Sequence, residues 1–272
     1  MKEVNKNLLI RIASAAVLIP VVIGCLYLGT VATAVFLAIA SLLMAQEFCA
    51  ITLKRHDFGQ VLGMIAAALP ALFFAFWPEI SLQLIAAASA LLLIALFITY
   101  LLRGPLPEAP VRVSLVFTGF FYVGVLPSCL VGLRALPDGL AWVFLAFLLT
   151  WSNDTGAYAA GRALGKHKLY PAVSPGKSWE GFFGGLVVTV GAAFLASATF
   201  LPSLAWGDAL AIALPVSFLG PLGDLSESML KRAYSVKDSG KTIPGHGGVL
   251  DRLDAMLFTA PYVYLYAKWA ML

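Results

Sequence analysis

Residues 12–46 read IASAAVLIPVVIGCLYLGTVATAVFLAIASLLMAQ, and no Asp, Glu, Lys or Arg interrupts them. A helix needs about 20 apolar residues to cross the hydrocarbon core of a bilayer. This stretch is therefore long enough for two crossings, and Gly29-Thr30 lies where a short turn would separate them. It predicts a pair of membrane helices at the start of the chain.

The composition of the whole chain agrees with this interpretation. Of its 272 residues, 61% are hydrophobic and only 12% are charged, and the mean hydropathy is +0.91. Soluble domains carry about 25% charged residues, so this chain has too few polar side chains to cover a water-facing surface. Three isolated cysteines show no metal-ligand spacing. An ordinary cytosolic enzyme, a disordered protein and a disulfide scaffold are excluded.

Further helices of spanning length follow along the chain. Four more stretches carry no charge: 58–78, 80–102, 113–133 and 181–207. Three others have the right length but carry carboxylates: 140–161, 209–228 and 250–272. The expected fold class is an all-α, polytopic integral membrane protein of about nine transmembrane helices.

The positions of Lys and Arg predict the orientation. If the N-terminus is cytoplasmic, all but Arg134 and Lys268 of the 18 basic residues lie on the cytoplasmic side. Lys2, Lys6 and Arg11 before an apolar run are also compatible with a signal peptide, but no clear small-x-small cleavage site follows. We expect a retained first helix.

The ionisable residues inside the apolar stretches are concentrated in the second half. Residues 1–135 are predicted to form a five-helix membrane region. Residues 136–272 are predicted to form the catalytic membrane region, with cytoplasmic loops at 162–180 and 229–249. No internal repeat is evident, so the inverted repeat of many transporters is not supported.

Carboxylates within spans are costly and are by default functional candidates. Asp154 is one such residue, although a hydrogen bond to a neighbouring helix would also explain it. Asp224, Glu227, Ser228 and Lys231 recur at the spacing of one helix face. Snorkelling at a helix end explains Lys231 and Arg232 well but explains Asp224 poorly, since an Asp side chain is short.

Two polar loops adjoin these carboxylates. Residues 237–248 read KDSGKTIPGHGG, and Gly247-Gly248 precedes a helix start carrying Asp251 and Asp254. A glycine turn followed by a helix N-terminus favours phosphate binding. Helix capping alone would also explain an Asp at this helix start. Lys177, in the loop 174–181 (SPGKSWEG), is either a phosphate-binding cation or an ordinary positive-inside lysine.

The sequence thus predicts carboxylates from three spans at similar depth, with Lys and Arg around them. This arrangement suits Mg²⁺ and a polyphosphate, since Mg²⁺ is held by one or two carboxylates and substrate phosphates. Neither a Walker A pattern nor G-x-G-x-x-G is present, so a P-loop or Rossmann site is not expected.

Residues 228–254 read SMLKRAYSVKDSGKTIPGHGGVLDRLD. This stretch resembles the signature of the phosphatidate cytidylyltransferases, also called CDP-diacylglycerol synthases, with its Ser, Lys-Arg, Lys-Asp, Pro-x-His-Gly-Gly and Asp-Arg-x-Asp elements. Residues 174–181 resemble a second block of that family, and Asn153-Asp154 resembles a third. Gly176 and Ser178 replace the Lys and Thr that are common there.

The resemblance implies transfer of CMP from CTP to phosphatidic acid at the inner (cytoplasmic) membrane of the cell, with Mg²⁺ and a site facing the cytoplasm. Asp224 and Asp251 are expected to hold Mg²⁺, and Asp154 and Asp254 to support them or hold a second cation. The expected phosphate-binding and catalytic set is Lys177, Ser228, Lys231, Arg232, Lys237, Gly247, Gly248 and Arg252. His246 either binds a phosphate or orients the loop.

The expected partners are CTP, phosphatidic acid and membrane lipids, with no nucleic acid; the oligomeric state, including a homodimer, cannot be read from the sequence. Other functions stay open at this point. A polyprenol kinase or an archaeal-type CDP-lipid synthase would also use CTP on a lipid. An ion-coupled transporter would use Asp154 and Asp224 as ion sites, but it leaves the Lys-rich, Gly-Gly loop without a role.

Overall fold

The computed structural model describes the backbone of residues 2–53 and 57–270, and the side chains of residues 9–53 and 57–270. Helices dominate: α1 (Lys2–Leu28), α2 (Thr30–Thr52), α3 (Phe58–Phe76), α4 (Ser81–Arg103), α5 (Ala109–Gly119), α6 (Leu126–Ala135), α7 (Gly139–Leu164), α8 (Trp179–Thr199), α9 (Trp206–Ala233) and α10 (Leu250–Ala270). A π-helical stretch, Phe120–Val125, joins α5 to α6, and a 3-10 turn, Pro78–Ile80, precedes α4.

Seven helical stretches of the described chain are long and apolar enough to cross a membrane. They are Leu9–Leu28, Thr30–Thr52, Phe58–Phe76, Pro78–Arg103, Ala109–Ala135, Trp179–Thr199 and Trp206–Ala233. Their outward faces carry large apolar side chains, such as Leu91, Phe97 and Val187, that lipid rather than water would cover. An all-α, polytopic membrane fold is thus confirmed.

The remaining predicted spans, 140–161 and 250–272, also correspond to helices, α7 and α10, but these are not among the seven. The number of spans and the orientation of the N-terminus stay predictions. Of the cations used for that orientation, Lys54 and Arg55 and the side chains of Lys2 and Lys6 lie outside the described residues.

The turn between the first two helices is a single residue. Gly29 has φ +110°, a conformation that a side chain would disfavour, and α2 begins at the next residue. The carbonyl of Leu26, left without a helical partner at the end of α1, accepts a hydrogen bond from Arg134 Nε at 2.9 Å. The predicted position of this turn is confirmed.

The polar loops are shorter than the predicted ranges 162–180 and 229–249. α7 continues to Leu164, and the residues after it form an antiparallel hairpin of β1 (Lys168–Tyr170) and β2 (Ser174–Ser178). α9 continues to Ala233, because Lys231 pairs with Glu227 one turn earlier and its charge is favourable near a helix C-terminus. The sequence prediction had no strand in either loop.

Two compact units make up the chain. The first contains residues 1–135 and 236–252, and the second contains residues 136–235 and 253–272.

In the first unit, a buried guanidinium joins three helix ends. Arg112 contacts Asp57 at 2.6 Å and Glu108 at 2.8 Å, and its relative exposure is 6%. Asp57 caps α3 by accepting from the Gln60 amide, and it also accepts from the Tyr100 hydroxyl at 2.9 Å. This cluster fixes the start of α3 against the end of α4 and the start of α5.

In the second unit, α7 and α8 pack with very little space between them. A Cβ on Gly156 would lie 2.8 Å from Val188, and one on Gly181 would lie 2.7 Å from the Ala157 carbonyl. Small residues permit such close contact between membrane helices. Gly156 and Gly181 therefore allow α7 and α8 to approach each other closely.

Two prolines shape α9 from within. Pro215 and Pro221 have no N–H, so the carbonyls of Ala211 and Ser217 lose their helical donors. Tyr262 donates its hydroxyl to Ala211 at 2.8 Å, and Asn153 Nδ2 lies 3.5 Å from the Ser217 carbonyl. Side chains of α10 and α7 therefore replace the missing bonds.

Candidate functional site

The second unit contains a cavity of about 440 Å³ between α7, the hairpin, α8 and α9. Its charged and polar lining includes Asn153, Asp154, Tyr158, Arg162, Lys177 and Asp224. Asn153 is buried and its Oδ1 has no hydrogen-bond partner in the described part of the chain. The cavity brings together three predicted site residues: Asp154, Lys177 and Asp224.

Lys177 and Asp224 form the central contact of this cavity. The ammonium lies 3.0 Å from Asp224 Oδ2 and also donates to the Pro221 carbonyl at 3.0 Å. Lys177 sits near the end of β2, and the next residue, Ser178, caps α8 by accepting from the Gly181 amide at 3.2 Å. The hairpin and this cap together place the lysine at α9.

The predicted polar face of α9 forms as expected. Ser228 donates to Asp224 Oδ1 at 3.2 Å, and Lys231 lies 2.8 Å from Glu227 Oε2. Glu227 is only 1% exposed, so its charge is compensated locally by Lys231 rather than by water.

Asp154 and Asp254 belong to the same electrostatic group. Each interacts with the charge of Asp224; Asp154 is also within the field of Lys177, and Asp254 within that of Lys231. Among the described residues, no three Asp, Glu, His or Cys side chains are placed to hold a metal ion on their own. The group is an acidic cluster with two adjacent ammonium ions, not a complete protein cage for a metal.

Asp251 lies in the first unit, where it holds the loop that precedes it. Its carboxylate accepts from the Ser239 amide at 3.0 Å, the Ser239 hydroxyl at 2.9 Å and the Gly248 amide at 2.9 Å. Gly247 has φ +86°, as expected for a glycine turn. Because the Gly248 amide already has an acceptor, a phosphate there would compete with Asp251.

The same loop contacts α1. Arg11 Nε donates to the Gly245 carbonyl at 2.9 Å, and Ser14 Oγ lies 2.9 Å from His246 Nδ1. The Nδ1 atom of the imidazole is thus already engaged within the first unit. This contact suits the orienting role considered for His246.

Three predicted phosphate-binding cations stay exposed. Within the described chain, the side chains of Arg232, Lys237 and Arg252 make no hydrogen bond or ion pair. The structure therefore neither joins them to the cavity residues nor assigns them another partner.

Sequence reasoning missed several residues of these surroundings. Arg162 lines the cavity and donates to the Tyr158 hydroxyl at 3.2 Å. Asp154, Tyr158 and Arg162 follow one another at intervals of four, so helical spacing from Asp154 was a signal for both. Glu47, which directly follows the charge-free stretch 12–46, was also missed; its contacts lie in the first unit.

Comparison with known proteins identifies the family of this chain. The sequence profile described as the cytidylyltransferase family matches residues 9–270. The chain belongs to the cytidylyltransferase family.

Within this family, the chain is similar to proteins named phosphatidate cytidylyltransferase. It is 42% identical to that of Bacillus subtilis over 154 residues, 56% of this chain and 57% of the relative. It is 46% identical to that of Staphylococcus saprophyticus over 124 residues, 46% of this chain and 48% of the relative. It is 48% identical to that of Staphylococcus aureus over 126 residues, with the same shares. The chain spans about half the length of these relatives.

Proposed function

We propose that this cytidylyltransferase-family protein transfers CMP from CTP to phosphatidic acid, giving CDP-diacylglycerol and pyrophosphate. A phosphate oxygen of the lipid attacks the α-phosphorus of CTP and forms the new P–O–P bond. The bond from the α-phosphorus to the oxygen that bridges to the β-phosphorus breaks, and pyrophosphate leaves with the electron pair. The attacking phosphate is already an anion, so no side chain has to remove a proton.

The observation that carries this proposal is the Lys177–Asp224 contact within the cavity. Two anions must approach each other in this reaction, and catalysis consists mainly of positioning them and offsetting their repulsion. An ammonium at 3.0 Å from a carboxylate can neutralise phosphate oxygens while that carboxylate faces a divalent cation. The family and the names of the relatives support the same chemistry.

The acidic cluster fits Mg²⁺ in its donor chemistry. Asp154, Asp224 and Asp254 offer carboxylate oxygens, and Mg²⁺ takes one or two carboxylates together with waters and substrate phosphates. Mg²⁺ at these residues would reduce their mutual repulsion and polarise the phosphates of CTP. We also propose that Asp251 holds Mg²⁺ and that a second cation binds. Both parts of the proposal rest on the residue pattern alone.

Basic side chains would hold the triphosphate and the lipid phosphate. Lys177 and Lys231 lie in the electrostatic group of the second unit. The exposed side chains of Arg232, Lys237 and Arg252 have no partner among the described residues to displace, so they can bind phosphate without breaking a contact.

We further propose the finer topology: nine spans with the N-terminus in the cytoplasm, in the bacterial inner membrane, and a site that opens to the cytoplasm. CTP would then arrive from the cytosol, and the lipid would enter from the membrane. Single cysteines at Lys241 and Pro202, in a variant without the native cysteines, should react with an impermeant thiol reagent from opposite sides. Labelling of both from one side would contradict this topology.

The activity itself is tested with the purified protein in lipid nanodiscs. With CTP, phosphatidic acid and Mg²⁺, mass spectrometry should detect CDP-diacylglycerol, and pyrophosphate should appear in equal amount. Asp224→Asn should abolish both products, whereas Asp208→Asn, which changes a carboxylate bonded to Tyr266, should not. Product from a polyprenol but not from phosphatidic acid, or ion flux without CTP, would overturn the proposal.

A further inference from the structure

Glu47 is a charged residue buried near the end of the otherwise apolar helix α2. Its relative exposure is 5%. An ionised carboxylate removed from water is costly unless it is hydrogen-bonded. Its oxygens accept hydrogen bonds from the Thr242 hydroxyl and from the Val249 and Leu250 amides, at 2.5, 3.0 and 2.9 Å, and they share the single proton of the Ser239 hydroxyl, 3.2 Å away, with Asp251.

All four donors come from one short stretch of chain, the loop and helix start at residues 239–250. Oε1 accepts from Thr242 and Val249, and Oε2 accepts from Ser239 and Leu250, so both oxygens are used. The two amides belong to the start of α10, whose N–H groups lack helical acceptors and favour a negative charge. Glu47 thus supplies, from a distant helix, the acceptors that this segment lacks.

The loop lies directly on the carboxylate. A Cβ on Gly240 would be 2.8 Å from Glu47 Oε1, and one on Gly248 would be 2.5 Å from Glu47 Oε2. Real Cβ atoms do not approach that closely, so glycine at these two positions is what lets the backbone reach Glu47.

Ser239 links Glu47 to Asp251. Its hydroxyl lies 3.2 Å from Glu47 Oε2 and 2.9 Å from Asp251 Oδ2, and its amide donates to Asp251. The orientation of the Asp251 carboxylate is therefore set by a residue that Glu47 holds in place.

We propose that Glu47 is the positioning residue of the loop 239–250: it fixes the loop and, through Ser239, aims Asp251. The expected effect on CMP transfer rests on the proposed function, whereas the fixing of the loop by Glu47 does not depend on it. Glu47 touches neither substrate nor metal in this assignment and acts only through the loop.

The test combines amide hydrogen exchange with kinetics on the full chain in nanodiscs. Glu47→Gln keeps the size but replaces one acceptor oxygen by an NH₂ group, and Glu47→Asp keeps both oxygens on a shorter side chain. Each hydrogen bond to a charged group contributes enough to change an opening equilibrium about ten- to hundredfold. We expect exchange at residues 239–250 to be at least about tenfold faster in Glu47→Gln, and less affected in Glu47→Asp.

The catalytic rate constant of CMP transfer should fall by about ten- to hundredfold in Glu47→Gln and by less in Glu47→Asp, with smaller changes in KM for either substrate. Thr242→Val, which removes one donor from the loop side, should give a weaker version of the same exchange pattern. Gln46→Ala, an exposed neighbour on the same helix, is the matched control and should change neither quantity.

Unchanged loop exchange in Glu47→Gln and Thr242→Val would overturn the proposal, as would a uniform rise in exchange over the whole protein with a lowered melting temperature. If Glu47→Gln cannot be purified, Thr242→Val decides by the same criteria. If the wild type transfers no CMP while Glu47→Gln loosens the loop alone, the proposed function fails and the positioning role stands.

Discussion

Lys177 reaches Asp224 with its ammonium 3.0 Å from Oδ2, and the same ammonium donates to the Pro221 carbonyl at 3.0 Å. The proline lies inside α9, so the lysine is held by the helix backbone as well as by the carboxylate. Its side chain is 22% exposed, which leaves a donor accessible from the cavity. An ammonium fixed in this way can contact a phosphate without first being positioned by it.

Replacing Lys177 should therefore affect activity much more than stability. We expect Lys177→Met to lower kcat/KM of CMP transfer by about a hundredfold or more, because a charge-stabilising donor is lost. The melting temperature should change by only a few degrees, since a partly exposed ion pair contributes about 1 kcal/mol or less. Labelled CTP in nanodiscs measures the first quantity and thermal unfolding the second.

Lys166→Met is the control, because Lys166 is an exposed cation of the same loop that does not line the cavity. Equal losses in Lys177→Met and Lys166→Met would show that general loop charge matters rather than the Asp224 contact.

The Mg²⁺ requirement should shift when the acidic cluster loses a carboxylate. Asp224→Asn and Asp154→Asn should each raise the Mg²⁺ concentration for half-maximal activity, by about ten- to a hundredfold, as expected for a lost ligand or supporting group. A titration of activity with Mg²⁺ checks this. Asp208→Asn, which removes a carboxylate elsewhere in the second unit, should leave the titration curve in place; an unchanged curve for Asp224→Asn would remove that residue from the metal site.

Local pattern predicted much of this molecule. Charge-free runs located the helices, and the spacing of Asp224, Glu227, Ser228 and Lys231 predicted a shared helix face that pairs as expected. The Glu47 contacts could not be predicted, since Glu47 and Ser239 are 192 positions apart and no periodic pattern connects them. The hairpin was missed because its strands are short and rich in glycine, proline and charge, whereas strand signals rest on β-branched and aromatic residues.

The Arg112 cluster should contribute to stability and not to catalysis. Removing one partner of a fully buried ion pair costs about 3–5 kcal/mol. Asp57 keeps a side-chain exposure of 27%, so water can partly hydrate it, and we expect about 2 kcal/mol for Arg112→Met. Glu108→Gln should cost less than about 1 kcal/mol, because the Glu108 side chain is 60% exposed.

Denaturant unfolding of both variants in mild detergent measures these free energies. A loss in Glu108→Gln as large as that in Arg112→Met would mean that Glu108, rather than Asp57, is the main partner of the guanidinium.

Pro215 in α9 and Tyr262 in α10 give the sharpest test of the second unit's packing. Pro215 leaves the Ala211 carbonyl without its helical donor, and the Tyr262 hydroxyl supplies one at 2.8 Å. In the native background, Tyr262→Phe leaves that carbonyl without a donor and should lower the free energy of unfolding by about 1–3 kcal/mol. In a Pro215→Ala background, the new amide can bond Ala211, so the same Tyr262→Phe change should cost less than about 0.5 kcal/mol.

The difference between the two costs is the coupling energy of the pair, measured by unfolding the four proteins of the cycle in the same detergent. Tyr266→Phe serves as the matched control, because its hydroxyl donates to Asp208 and not to a carbonyl freed by proline. Its cost should be the same in both backgrounds. Equal costs of Tyr262→Phe with and without Pro215 would show that the hydroxyl does not replace the missing helical bond, and the observed 2.8 Å contact would then contribute no specific stabilisation.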